Sequence, residues 1–397
     1  MKVSARVAAV VGSVTLEIDA KAKAMKAAGM DVIGFGAGEP DFETPEHIRD
    51  AAKTALDKGM TRYTPAAGTP ELKKAICEKL KRDNGLAYEP AQIVISNGAK
   101  HSLFNAFMAV LDPGDEVLIP SPCWVSYPEM VKMADGVPVL VYAGEEQGYV
   151  PTAAQLEAAC TTRTKAIVLN NPVNPTGGAY DVATLEGIAA LAVKHDLFII
   201  ADEIYEVLSY DGYKPVSIAT FGEEIKQRTI LINGVSKTYA MTGWRIGYSA
   251  AAPEVAQVMA NIQSQATSNP NSIAQYACVA ALNGPREVVD AMVKEFDRRR
   301  VRIHALVNHI DGMSAILPKG AFYLFVNIKA LLGKSHNGVV INDSMQFAST
   351  LLEDQKVAVV PGSAFDAEGY VRLSYALSME NLEKGVARMA DFARGLR

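Results

Sequence analysis

Short, almost wholly apolar runs recur along this chain, separated by stretches with helical spacing. Gln92–Ser96, Glu116–Pro120, Lys165–Leu169, Leu197–Ala201 and Thr229–Ile232 are such runs, and Leu103–Leu111 and Leu185–His195 lie between them. A strand that alternates apolar and polar residues has a wet face and a dry one. Strands this continuously apolar have two dry faces, so helices must cover both. The pattern predicts an α/β fold built on a largely parallel sheet. It also directs attention to the carboxyl ends of the strands, where ligands bind in open sheets of this kind.

Helix starts are written into the sequence. Thr44-Pro45-Glu46 and Thr69-Pro70-Glu71 each offer a hydroxyl for the N-cap, proline for the first helical position and an acid for the first turn. Asn84-Gly85 supplies a left-handed stop for the second of these helices. The pattern changes after about residue 285. A long charged helix from Arg286 to about Val307 leads into the strand-like Gly320–Phe325, Lys356–Val360 and Tyr370–Ser374. A length of 397 residues exceeds one small core. The expectation is a large domain over 46–294 and a smaller α+β domain made of 1–45 together with 295–397.

Net charge is −5, with acids and bases interleaved, which argues against nucleic acid as a partner. No apolar run reaches the roughly 18 residues a membrane span needs. The four cysteines stand far apart with no C-x-x-C pair, as suits reduced thiols in a cytoplasm. No metal site is expected. Lys2 and Arg6 followed by Val7–Val14 faintly resemble a secretory leader, but Glu17, Asp19, Lys21 and Lys23 follow at once. An amphipathic lead-in to a first helix is the expectation.

The polar residues collect where the strands end. Lys237 follows the strand-like Thr229–Asn233, and Arg245 lies eight positions on. A lysine packed against a sheet end loses hydration, so its pKa falls and its amine becomes a nucleophile and base. Asn97-Gly98-Ala99-Lys100 joins a strand to a helix, whose free N–H groups suit a phosphate, although alone it reads as a plain turn. Asn171-Pro-Val-Asn174-Pro-Thr-Gly-Gly178 directs an asparagine amide between two proline turns. Asp202 ends an apolar strand, where a carboxylate needs a cationic partner; a structural ion pair is the plain reading and a protonated pyridine the chemical one.

In order and spacing, these segments resemble pyridoxal-phosphate aminotransferases of fold type I, class I. The likeness runs through most of the chain and is nearest the bacterial aspartate aminotransferase subgroup that lacks an arginine from the neighbouring subunit. The resemblance implies pyridoxal 5'-phosphate held at Lys237 as a Schiff base, with Asp202 on its pyridine nitrogen. Tyr205 and Asn174 would bond its phenolic oxygen and Trp124 would stack on its ring. Gly98, Ala99, Lys100 and Arg245 would hold the phosphate, with Tyr63 reaching it from the other subunit of a homodimer. Arg372 would clamp the substrate α-carboxylate by a two-bond fork, with the Gly38 backbone beside it. Gly34-Phe-Gly36-Ala-Gly38 is not read as a dinucleotide turn, because the acidic, proline-bearing sequence after it does not open a helix.

Two departures stand out. Relatives often carry a hydroxyl residue three positions before the lysine, and here that position is Gly234. The region Ser264–Ser272, where animal and enteric aspartate aminotransferases place the neighbouring-subunit arginine, has none. The nearest subgroup reads a distal carboxylate with the counterparts of Lys100, Ser13 and Thr15; simple helix capping is the plain alternative for Ser13 and Thr15. The expected activity is transamination of L-aspartate with 2-oxoglutarate, giving oxaloacetate and L-glutamate. The rivals are an aminotransferase for prephenate or aromatic amino acids, a β-eliminating lyase, and a non-catalytic regulator of the same fold. Prephenate-accepting relatives tend to carry lysine where this chain has Val11, and the chain lacks room for a regulator's DNA-binding module.

Overall fold

The computed structural model describes Ser4, Val10, Gly12 and residues 14–397. Ser13, Val11 and most of the leader-like segment before it therefore lie outside the described residues. A seven-stranded sheet forms the centre. Its spatial order is Ile93–Ser96, Gly247–Ala250, Thr229–Gly234, Phe198–Asp202, Thr164–Asn170, Glu116–Ser121 and Val137–Tyr142. Gly247–Ala250 runs antiparallel to both neighbours and the remaining pairings are parallel.

Alternate side chains of the central strands leave on opposite faces. Val168, Ile200 and Ile232 pack with Leu103 and Phe107 of the helix Ala99–Val110. Ile167, Ile199 and Ala201 pack with Leu185, Ile188 and Leu191 of the helix Val182–Lys194. Burying such a side chain fully stabilises the fold by about 1.5–3 kcal/mol, which is why neither face carries a polar stripe.

A second sheet orders Val360–Pro361, Tyr370–Ser374, Tyr323–Asn327 and Ser314–Ala315, each pair antiparallel. The helices Glu287–Val307 and Met379–Gly395 share its core through Phe296, Ile303, Met389 and Phe392. Ile33–Gly34 pairs parallel with Val357–Ala358 and ties the N-terminal segment to these C-terminal elements.

Several expectations need correction. The run Lys356–Val360 is two short strands rather than one, Val357–Ala358 and Val360–Pro361, and each pairs with a different partner. Pro45, not Thr44, caps the helix Glu46–Asp57, because the Thr44 hydroxyl donates instead to the Ala240 carbonyl at 2.7 Å. Thr69 does cap its helix, and Gly85 closes it with φ 69°. Ser264–Ala266 is the last turn of the helix Pro253–Ala266, so the connection there is only Thr267–Asn271. All four cysteines are free thiols. Among the described residues no helix is long and apolar enough to cross a membrane.

Candidate active site

The carboxyl ends of the parallel strands open onto one cavity of about 480 Å³. Asp202 ends its strand at the cavity floor, buried. Beside it Asn170 ends the next strand; its Nδ2 donates to the Asp202 carbonyl at 3.0 Å and its Oδ1 accepts the Asn174 N–H at 2.9 Å. The chain after that strand is thus fixed with Asn174 in the cavity wall.

The Asp202 carboxylate receives the Tyr127 hydroxyl at 2.7 Å and the Ile204 N–H at 3.2 Å. Both donors are neutral. Burial pushes the Asp202 pKa up to about 6, against the lowering effect of Tyr127, the Ile204 N–H and the more distant Lys237. This is a buried carboxylate that calls for a cationic partner from the cavity.

Lys237 reaches the cavity three residues beyond the strand Thr229–Gly234. Its Nζ donates to the Gly38 carbonyl and lies 5.9 Å from the Tyr205 ring centroid. Burial lowers its pKa to about 8; Arg372 and Arg245 also lower it, whereas Glu39 and Asp202 raise it. A substantial neutral fraction at such a pKa gives the nucleophile and base expected from its position.

Next to it the helix Ala99–Val110 starts directly from Gly98, whose φ of 87° favours glycine. A β-carbon at Gly98 would collide with the Arg245 guanidinium, and one at Gly247 with the Ala99 amide. The helix start, Arg245 and the strand Gly247–Ala250 are therefore packed backbone to side chain with no room to spare. Arg245 donates to the Thr242 carbonyl at 2.8 Å and the Asn97 carbonyl at 3.3 Å, with no acid paired to it among the described residues. Gly234 has its own explanation: a β-carbon there would come within 3.0 Å of Gly247 Cα and the Ile246 carbonyl. A side chain there would require the facing strand to give by a few tenths of an ångström, and the hydroxyl residue in the cavity wall beside Lys237 is Ser236.

The second sheet contributes Arg372, only 2% exposed. Its Nη1 donates to Asn174 Oδ1 at 3.0 Å and its Nη2 to the Gly36 carbonyl at 2.9 Å. Its buried Nε–H has no partner among the described residues. With its oxygen taken by Arg372, Asn174 keeps Nδ2 as a donor. Tyr205 is buried, its hydroxyl 2.9 Å from that of Tyr323.

Trp124 and Lys100 share another part of the wall, with Lys100 Nζ 4.8 Å from the indole centroid. Partial burial, then Arg245, lowers the Lys100 pKa, and no acid pairs with it among the described residues. Thr15 also lines the cavity, as does Lys23 from the same helix. The structure thus gathers Gly38, Ala99, Lys100, Trp124 and Asn174 with Asp202, Tyr205, Lys237, Arg245, Arg372 and Thr15. Gly98 stands just behind this wall. Tyr63 is not part of it: it is 90% exposed and borders a separate apolar groove. Sequence reasoning missed Tyr127, Tyr323 and Glu39. Tyr127, three residues after Trp124, carried no local signal for the strand end it bonds, whereas Glu39 stood inside the quoted Gly38 loop.

These residues fit pyridoxal phosphate. Among the described residues the buried Asp202 has only neutral hydrogen-bond donors and the Gly98–Ala99 helix start and Arg245 form a cradle with no acid paired to it, while Lys237 is an amine of lowered pKa in the same cavity.

The sequence profile of the family described as "Aminotransferase class I and II" matches residues 30–389. The aspartate aminotransferase of Bacillus subtilis is 49% identical over 392 residues, 99% of each chain. The aspartate/prephenate aminotransferase of Cereibacter sphaeroides is 48% identical, over 97% of this chain and 96% of its own. A crystal structure of the aspartate aminotransferase from Rhizobium meliloti superposes with a TM-score of 0.96 at 46% identity, covering 100% of both chains. Matched over residues 30–389 by the family profile and nearly half identical to relatives along 99% of its length, this chain belongs to the class I and II aminotransferases.

Proposed function

We propose that the protein is a cytoplasmic homodimer that transaminates L-aspartate with 2-oxoglutarate, giving oxaloacetate and L-glutamate, with pyridoxal 5'-phosphate held at Lys237. One observation carries the substrate assignment. Lys100 and Arg372 line the same cavity, and neither is paired with an acid among the described residues. A substrate with a carboxylate at each end would meet both cations, whereas an apolar side chain would leave Lys100 without a partner.

Asp202 would pair with the pyridine nitrogen, with Trp124 on the ring face. The backbone groups of Gly98, Ala99 and Lys100 and the Arg245 guanidinium would hold the phosphate, and Tyr205 and Asn174 Nδ2 would donate to the phenolic oxygen. Bound there, the cofactor supplies an aldehyde for exchange with the substrate amine and a protonated ring that draws electrons from Cα. Arg372, with the Gly38 backbone, orients the α-carboxylate. With the cofactor bound, Lys237 Nζ would serve as the base that accepts the proton from the substrate Cα and holds it within the cavity. The same steps in reverse consume 2-oxoglutarate.

Since Thr267–Asn271 carries no arginine, the distal carboxylate falls to Lys100, Thr15 and Ser13, the reading of the subgroup without a neighbouring-subunit arginine. We assign 46–294 to the cofactor-binding domain and 1–45 with 295–397 to a smaller domain that closes on the substrate. The apolar groove of about 610 Å³ beside Tyr63, Tyr276 and Val279 would take a second copy of the chain, so that Tyr63 completes the partner's phosphate site. The free cysteines suit a cytoplasm.

The test is a stopped-flow panel in which the cofactor-loaded protein meets single L-amino acids and its absorption is followed. Rapid conversion by aspartate and glutamate supports the reading; conversion by aromatic or uncharged amino acids alone overturns it. Prephenate is the second candidate, favoured by the Cereibacter sphaeroides relative, and is tested as acceptor in the reverse half-reaction.

A further inference from the structure

Tyr323 opens the strand Tyr323–Asn327 and lines the cavity beside the groups assigned above. Three contacts define it. Its hydroxyl is 2.9 Å from that of Tyr205. Its ring face carries the Arg372 guanidinium, Cζ lying 4.3 Å from the ring centroid. A β-carbon on Gly38 would come within 3.3 Å of its oxygen. Tyr323 and Tyr205 are 1% and 4% exposed, so bulk water does not compete for the pair.

A tyrosine hydroxyl has one proton. If Tyr205 donates to Tyr323, it has none left for an acceptor in the cavity. If Tyr323 donates to Tyr205, the Tyr205 proton is free to point inward, and the bond it receives makes it a stronger donor. We propose that Tyr323 is a positioning residue for the transamination reaction. Its hydroxyl donates to Tyr205 and so reserves the Tyr205 proton for the cofactor's phenolic oxygen, while its ring supports Arg372 for the α-carboxylate. The inference rests on the cofactor reading above. The charged groups facing Tyr205 are Arg372, Asp202 and Lys237, and a change at Tyr323 that keeps the ring leaves all three in place.

The experiment compares cofactor-loaded wild type with Tyr323→Phe, Tyr323→Leu, Tyr205→Phe and the Tyr205→Phe/Tyr323→Phe double variant. The readouts are the pH midpoint of the visible absorption band and KM for aspartate. Tyr323→Phe should raise the midpoint by on the order of a few tenths of a pH unit, because a weaker Tyr205 donor stabilises the anionic phenolic oxygen less. It should leave KM within about twofold, since the ring under Arg372 remains. Tyr323→Leu should shift the midpoint similarly and raise KM by about two- to thirtyfold, the range of a lost cation–π contact. On the Tyr205→Phe background, Tyr323→Phe should shift the midpoint no further. An unchanged midpoint in Tyr323→Phe, or an equal shift with and without Tyr205, overturns the proposal. A wild-type protein with no pH-dependent band overturns the cofactor reading itself, and the Tyr323 role with it.

Discussion

Asp202→Asn should stabilise the cofactor-free protein at neutral pH while impairing the loaded one. The folded pKa of Asp202 is about 6 against an ordinary 3.8, with burial as the cause. The folded state therefore binds the proton more tightly than the unfolded chain does. Below pH 3.8 the carboxyl is protonated in both states and contributes nothing to the difference. As pH rises from there to about 6 the unfolded chain ionises first and stability is lost; above about 6 the loss is complete. A shift of about two units at about 1.4 kcal/mol each amounts to roughly 3 kcal/mol. Asparagine does not titrate. It can keep its oxygen toward the Ile204 N–H and donate from Nδ2 to a rotated Tyr127 hydroxyl, at a cost of about 1 kcal/mol for the weaker bonds. Urea denaturation of both cofactor-free proteins, at equal protomer concentration from pH 4 to 7.5, measures the gap. The variant should gain on wild type by roughly 2.5 kcal/mol across that range and end more stable by about 2 kcal/mol. Added pyridoxal phosphate should then reverse the order, because only the carboxylate pairs with a protonated ring. A gap that does not change with pH would refute the claim that burial holds Asp202 in want of a cation.

Other outcomes follow from the same geometry. Lys237→Ala should abolish turnover and covalent cofactor attachment, and borohydride reduction of wild type should tag Lys237; a tag on another lysine removes the assignment. Covalent capture of the cofactor by the apoprotein should accelerate with pH up to about 8, where Lys237 becomes neutral, and level off above it; a rise continuing to the ordinary lysine range would contradict the burial argument. Lys100→Ala, compared at saturating cofactor, should depress activity on aspartate and glutamate by about ten- to hundredfold, the worth of one charge-assisted bond. Alanine or phenylalanine should suffer far less, and equal losses would make Lys100 a phosphate residue only. Mixing Tyr63→Phe with Lys237→Ala chains should restore one competent site per heterodimer, whereas a fully active monomer at high dilution would end the shared-site idea.

How far the sequence reached differs from residue to residue. Lys237, Asp202 and Asn174 were legible because each ends or follows an apolar strand, and in a parallel sheet every such end points the same way. Arg372 was legible only through the family resemblance of Tyr370–Ser374, and the structure brings it to the cavity. The strand Val137–Tyr142 was missed although it is apolar throughout, because Pro138 argues against a central strand; it lies at the sheet's edge and is partly exposed. Gly247–Ala250 was missed inside the lysine segment, where small residues gave no strand signal. Local sequence chose the elements and the strand ends, since propensity and burial act over a few residues. The bond from Tyr127 to Asp202 spans 75 positions and that from Tyr323 to Tyr205 spans 118. The tight space at Gly234 likewise depends on a strand that arrives from Gly247. Such contacts exist only once distant segments have packed, so the pairing of two tyrosine hydroxyls and the tight space around one glycine were decided by tertiary structure alone.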